Sequence, residues 1–135
     1  MHRFVRGFTL IEILVVLVIV GLLAGVAVPR LYALSARFEI ATQRESLLSE
    51  IGNLGYRAYT SGQGIELGAL PASAPGSNPI PVPAGWRIDV PQPIRYAFNG
   101  ICSGGTLTLL GPDDFRETLR LTPPLCKPTS VSGVP

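Results

Sequence analysis

The stretch FTLIEILVVLVIVGLLAGVAVP, residues 8–29, decides the architecture of this 135-residue chain. No charged, amide or hydroxyl side chain occurs in the 17 residues from 13 to 29. A helix crosses the ~30 Å hydrocarbon core of a bilayer with about 20 residues, because it rises about 1.5 Å per residue. The stretch is therefore long enough to span a membrane. Glu12 near its start requires an explanation, since an unpaired carboxylate in lipid is costly.

Composition excludes several classes of function. The net charge is +2, and two basic residues, Arg3 and Arg6, precede the apolar run, so the remainder is balanced. A broad basic face for nucleic acid is therefore not expected. The one histidine, His2, lies at the N-terminus, and no nucleophile–base pair, metal cluster or phosphate loop occurs. We expect no enzyme activity, no cofactor and no metal site.

Three interpretations of the N-terminus compete. A secretory signal would be cut after the small residues Gly25-Val26-Ala27, and a plain membrane anchor would not be cut. Neither explains Glu12. Cleavage between Gly7 and Phe8 would instead leave a new amine on Phe8. Glu12 would then be the fifth residue of the cleaved chain. The ammonium of an adjacent copy would then be a partner for that carboxylate in a medium of low dielectric constant.

The N-terminus has Gly7, then Phe8-Thr9-Leu10-Ile11-Glu12, then an apolar helix that contains Pro29. This pattern resembles the N-terminus of the type IV pilin superfamily, which comprises pilins, minor pilins and type II secretion pseudopilins. The resemblance implies that a prepilin peptidase cleaves after Gly7 and methylates the amine of Phe8. It makes Glu12 the carboxylate that aligns subunits during assembly. Pro29 should kink the helix without ending it.

The resemblance also implies partners and a location. The partners are other pilin or pseudopilin subunits, bound through the N-terminal helix, the prepilin peptidase and an inner-membrane assembly platform. The chain would cross the bacterial inner membrane once and place its C-terminal part in the periplasm. The arginines on the two sides of the run do not by themselves decide this orientation.

Six consecutive segments are expected: a leader at 1–7, a transmembrane and assembly helix at 8–29, an amphipathic helix at 30–61, a loop rich in proline and glycine at 62–85, an antiparallel β region at 86–126 and a flexible tail at 127–135. Apolar residues recur at three- and four-residue steps to about residue 59, and Ser61-Gly62 is typical of a helix end.

From residue 86 the hydrophobic period changes to two, which is typical of strands. Four short antiparallel strands are predicted, at 86–90, 94–98, 106–110 and 118–122, with turns at Asn99-Gly100 and 111–114. They would form one small sheet or two packed hairpins. Strands that follow one helix, without alternation, indicate the α+β class.

Cys102 and Cys126 flank the last predicted hairpin, and their spacing fits no zinc or CxxC motif. In an oxidising periplasm we expect a disulfide, which would close a loop of about 25 residues and stabilise the fold by about 3 kcal/mol. Two free buried thiols are the alternative. Asp113 and Asp114 raise the possibility of a calcium loop, but only Glu117 is near in sequence, so turn chemistry is favoured.

The short C-terminal part with its late cysteine pair resembles minor subunits of the GspH/FimT type. We therefore expect a structural subunit of a pilus-like filament, a minor pseudopilin of the type II protein secretion system. The alternative is a type IV pilus minor pilin that primes assembly, including a FimT-like DNA-uptake receptor. Nucleic acid is the less favoured partner. The small basic cluster of Arg116, Arg120 and Lys127 is weakened by the acidic residues among them, Asp113, Asp114 and Glu117.

Overall fold

The computed structural model describes residues 7–72 and 76–131, which form two helices and six strands. The chain divides into two compact units, Met1–Glu39 and Ile40–Pro135. We call residues 40–131 of the second unit the head. The expectations for the leader before Gly7, for Pro75 and for the last four residues of the tail lie outside the described residues.

The first helix, α1, extends from Leu10 to Gly52 and passes through Pro29 without interruption. A kink at Pro29 stays a prediction. The second helix, α2, spans Leu54–Ser61 and follows after the single residue Asn53. Gly62 ends α2 in the left-handed conformation, with φ of 66° and its N–H bonded to the carbonyl of Tyr59 at 3.3 Å. The helix therefore ends where Ser61-Gly62 indicates.

Two antiparallel sheets follow the helices. The smaller pairs β1, Ile65–Leu67, with β3, Ile94–Tyr96. The larger has four strands in the order β2-β4-β5-β6. Its strands are β2 Arg87–Asp89, β4 Gly105–Leu110, β5 Arg116–Leu121 and β6 Pro128–Ser130. Long helical and antiparallel elements in one chain confirm the α+β prediction.

Two of these strands were not predicted. β1 lies in the segment expected to be a loop, and β6 lies in the segment expected to be a flexible tail, so the tail prediction is wrong for Pro128–Ser130. Both strands have three residues, and β6 contains no apolar alternation. Their positions follow from backbone pairing of β1 with β3 and of β6 with β5. The side-chain pattern of such short segments does not predict this pairing.

Alternate residues of the strands and one face of the helices build the core of the head. Leu47 and Ile51 of α1 are at most 1% exposed, as are Leu54 and Ala58 of α2. They form one cluster with inward side chains from both sheets and the intervening loops. Those buried partners include Leu67, Ile80, Trp86, Ile88, Ile94, Tyr96, Leu107, Leu109, Leu119 and Leu121.

Helix α2 and the turn after β3 approach each other through two glycines. A Cβ added to Gly55 would lie 2.8 Å from the carbonyl oxygen of Gly100, and one added to Gly100 would lie 3.0 Å from the carbonyl oxygen of Gly55. Gly100 also has φ of 83°, which L side chains rarely adopt. Backbone therefore meets backbone at this point, and no side chain fits between.

Candidate functional site

The predicted cleavage site lies immediately before α1. Gly7 and Phe8 are exposed, Phe8 to 79%, so the bond between them is accessible. Thr9 caps the helix. The N–H of Glu12 donates to the side-chain Oγ1 of Thr9 at 3.3 Å and to the carbonyl oxygen of Thr9 at 3.1 Å. Thr9 and Glu12 have the Thr-x-x-Glu spacing of a capping box, a signal that our sequence reasoning missed. Removal of the residues through Gly7 would leave this cap in place.

Every side chain of α1 from Leu10 to Glu39 is exposed. By length and composition, α1 with α2 forms the one helical stretch among the described residues that is apolar enough to cross a membrane. Residues 10–29 of this helix carry one charged side chain, Glu12, whereas Arg30, Arg37 and Glu39 follow them. An apolar helix surface of that length suits lipid or other apolar helices around it. We call residues 10–29 the anchor segment.

Arg44 and Glu117 join α1 to β5 within the head. Arg44 Nε donates to Glu117 Oε2 at 2.5 Å and Arg44 Nη2 donates to Glu117 Oε1 at 2.6 Å, a bidentate pair. The two side chains are only 26% and 12% exposed. Hydrogen bonds from Arg44 lower the pKa of Glu117 against the opposing effect of its burial, and Ser130 adds a further hydrogen bond. Glu117 is therefore a structural carboxylate.

A second polar contact joins the same turn of α1 to the start of β2. Trp86 Nε1 donates to Gln43 Oε1 at 2.6 Å. The indole of Trp86 is also tilted against the ring of Phe115, with centroids 5.3 Å apart. A Cβ on Gly111 would lie 3.1 Å from three atoms of that indole. The indole is therefore fixed on several sides, which makes Trp86 a sensitive reporter of the packing of this helix on the sheet.

The structure joins Cys102 and Cys126 in the predicted disulfide, with their Cα atoms 6.1 Å apart. Both residues are buried, at 3% and 0% exposed. The N–H of Cys102 also donates to the carbonyl of Pro124 at 3.0 Å. The bond therefore ties the segment after β3 to the connection between β5 and β6.

The comparisons with known proteins identify the N-terminus. The family model for the prokaryotic N-terminal methylation motif matches residues 2–28. This chain carries a prepilin methylation motif. No curated protein and no solved structure matches the chain. The prepilin motif covers Gly7, Phe8 and Glu12, whose individual roles remain predictions, and it leaves the head without a matching relative.

The outward face of the four-stranded sheet in this prepilin-type chain is rich in threonine and carries more arginines than acidic residues, with Asp89 of β2 as its carboxylate. Strand alternation directs Arg116 and Arg120 outward, and the register places Arg87 and Arg116 on opposite sides of Leu110. Glu117 points to the other face, where it binds Arg44. Our sequence argument that Glu117 weakens the basic cluster is therefore wrong, and Arg87 is a member that it missed.

The carboxylates considered for calcium do not converge. Asp113 and Asp114 occupy the turn between β4 and β5 with φ of 54° and 58°, while Glu117 faces α1. Within residues 7–72 and 76–131, no group of three or more metal-ligating His, Cys, Asp or Glu side chains occurs. Asp113 and Asp114 fit the turn role, because aspartate tolerates the left-handed conformation.

Proposed function

We propose that this protein is a membrane-anchored structural subunit of a pilus-like filament. The observation that carries the proposal is the prepilin motif at residues 2–28, together with a continuous helix whose predominantly apolar residues 10–29 are all exposed. Such a surface suits storage in lipid and later packing against the helices of neighbouring subunits. The head would be a folded module carried by this helix, and the function is structural rather than enzymatic.

Assembly would depend on Glu12 and the new amine of Phe8. A peptidase that cuts after Gly7 exposes that amine, and its methylation leaves the positive charge in place. Two unit charges 4 Å apart attract each other by about 1 kcal/mol in water and by about 4 kcal/mol at an effective dielectric constant of about 20. Contact between Glu12 of one copy and Phe8 of the next would therefore align subunits in the membrane, where either charge alone is unfavourable.

We favour a minor pseudopilin of a type II protein secretion system, with a type IV pilus minor pilin that primes assembly as the alternative. The small head with a disulfide between Cys102 and Cys126 supports a minor subunit. The disulfide also supports a periplasmic head on a single-pass inner-membrane protein, since such bonds persist in oxidising compartments. The partners in either system would be other subunits, the prepilin peptidase and the assembly platform.

The intact mass of the protein from its native membrane tests the proposal. We expect loss of MHRFVRG and gain of one methyl group. Glu12→Gln should be processed in the same way, because the peptidase acts between Gly7 and Phe8, but should be lost from sheared or crosslinked filaments. Glu39→Gln, an exposed carboxylate of the same helix, is the matched control. An unprocessed chain, or one cut after Ala27, would contradict the filament role.

The basic outward face of the sheet supports DNA uptake as a second candidate function. Arg87, Arg116 and Arg120 could each neutralise one phosphate, and three such contacts predict a roughly 40-fold loss of affinity between about 50 and 200 mM salt. Fluorescence anisotropy of duplex DNA with the full chain in nanodiscs measures this. Arg116→Gln with Arg120→Gln should weaken binding, and Arg95→Gln, outside this face, should not. Absence of binding at low salt would exclude this candidate.

A further inference from the structure

The head exposes a group of large apolar side chains. Their exposed fractions range from 51% to 69%, and Val131, at 37%, is the one other such side chain in the described part of the head. We call this group the apolar patch. Its members are Tyr56, Tyr59, Phe98, Ile101 and Leu125.

Three separate segments contribute to the apolar patch and are held together by backbone contacts. The carbonyl of Gly55 in α2 approaches Gly100, and a Cβ on Gly100 would lie 3.5 Å from the Cβ of Tyr59. The turn that carries Phe98 is closed by hydrogen bonds between Ala97 and Ile101 and between Gly100 and Ala97, each 2.8 Å. The bond from Cys102 to Pro124 brings the Leu125 segment beside Ile101. These contacts place the three segments that carry the patch next to one another.

A hollow lies beside this patch. It has a volume of about 540 Å³ and shares Ile101 with the patch. Small residues lie along it, and its wall carries the ion pair between Arg95 Nε and Glu66 Oε2, 3.2 Å apart. The small lining residues are Gly64, Ala97 and Ser103. The hollow is large enough for an aromatic side chain such as that of Phe98, which projects from the adjoining turn.

The exposed area is sufficient for a specific interface. A fully accessible aromatic side chain presents about 150–250 Å². At the observed exposures, the three aromatic and two aliphatic side chains of the patch present roughly 600 Å² before the hollow is added. Specific interfaces bury at least about 600 Å² from each partner. The patch therefore reaches the size that a stable pair of heads needs.

We propose that the apolar patch and the hollow form a two-fold symmetric contact with a second copy of this chain. In such a contact the same surface serves both partners, so it must contain both a projection and a complementary cavity. Phe98 of each copy would enter the hollow of the other.

Charge supports the same partner. A two-fold contact places identical charges close to each other, so an uncompensated charge at its centre would repel. Here Arg95 is compensated by Glu66. The outward face of the four-stranded sheet carries three arginines, Arg87, Arg116 and Arg120, against one aspartate, Asp89, so its net positive charge disfavours self-association. The head thus has one face suited to a second copy and another that is not.

Photo-crosslinking of the full chain in its native membrane tests the contact. p-Benzoylphenylalanine replaces Phe98 in one sample and Thr118, on the outward sheet face, in a control. Two differently tagged copies are expressed together. We expect a light-dependent product of twice the chain mass that contains both tags from position 98, and at least fivefold less from position 118.

Filling the hollow provides a second measurement. Ala97→Gln should reduce the product from position 98 at least tenfold, because the side chain occupies the space that the aromatic ring requires, whereas Ala97→Ser should retain it. An intact disulfide on non-reducing gels confirms folding. A product with a polypeptide of another mass, or no product from the folded chain, would overturn the proposal.

The contact belongs to the head and does not rest on the filament function. The experiment is therefore run with and without the prepilin peptidase. Persistence of the product in unprocessed chains is expected. Loss of the product only in the absence of the peptidase would show that it arises inside the filament, which would overturn the proposed pairing of stored subunits while supporting assembly.

Discussion

Replacement of Glu117 by glutamine removes the carboxylate that holds Arg44 against β5. The side chains of Glu117 and Arg44 are 12% and 26% exposed, so the pair is intermediate between a surface pair and a buried pair. Loss of a surface pair lowers the free energy of unfolding by about 0.2–1 kcal/mol, and removal of one partner of a buried pair lowers it by about 3–5 kcal/mol. We expect the free energy of unfolding at pH 7 to fall by about 2 kcal/mol. Arg44 keeps a contact with Glu45, but that partner is 70% exposed and compensates little.

Urea unfolding of the full chain in detergent measures this loss, with the fluorescence of Trp86 as the signal. Trp86 is the one tryptophan of the chain and is 2% exposed. A double-mutant cycle of Glu117→Gln with Arg44→Gln should give a coupling energy of about 1–2 kcal/mol. Glu45→Gln is the matched control and should change stability by less than about 0.5 kcal/mol, since it removes an exposed charge next to the same arginine.

The same pair predicts a pH dependence. Because Arg44 lowers the pKa of Glu117 in the folded state, the stabilisation is complete above the unfolded-state pKa of a glutamate, about 4.3, and is lost as the pH falls through the lower folded value. The difference in stability between wild type and Glu117→Gln should therefore be constant near neutrality and shrink below about pH 4.3. Equal stability of the two proteins at pH 7, or zero coupling in the cycle, would refute the reasoning.

Two further predictions concern the packing of the head. Gly55→Ala places a Cβ 2.8 Å from the carbonyl oxygen of Gly100 and should lower the free energy of unfolding by about 1–3 kcal/mol in the same urea assay. Gly52→Ala, whose Cβ would have its nearest neighbour at 3.7 Å, is the control, and equal losses for both would contradict the steric cause. Replacement of Cys102 and Cys126 by alanine should cost about 3 kcal/mol and increase proteolysis of the head. An unchanged urea midpoint would show that the bond does not stabilise the fold.

The sequence predicts the anchor segment and the α+β class because both depend on local periodicity. The 17 apolar residues before Arg30 specify a membrane helix without reference to the rest of the chain, and alternation specifies β4 and β5. The disulfide followed from the compartment and from the two cysteines available. The anchor segment and these two strands can be read from neighbouring residues, whereas the disulfide required the compartment argument.

The pairing of strands and the polar contacts could not be predicted, because they join distant residues. β3 pairs with β1 and β2 pairs with β4, so neither forms the hairpin that consecutive strands suggest. Arg44 and Glu117 are 73 residues apart, and each alone resembles a solvent-exposed charge. One signal was present: Leu119 and Leu121 point inward, so alternation places Glu117 on the same inward face and Arg116 on the other.

Strand β6 has a consequence for contacts between neighbouring molecules, because it forms one edge of the four-stranded sheet. The N–H of Val131 bonds to the carbonyl of Thr118, so by alternation the backbone of Thr129 also faces β5 and that of Pro128 and Ser130 faces away. Proline has no N–H, so Ser130 supplies the single outward donor of this three-residue strand. An unprotected edge would invite sheets of neighbouring molecules to add to one another. With a single outward donor, this edge offers little to an incoming strand, which disfavours uncontrolled β aggregation of the heads.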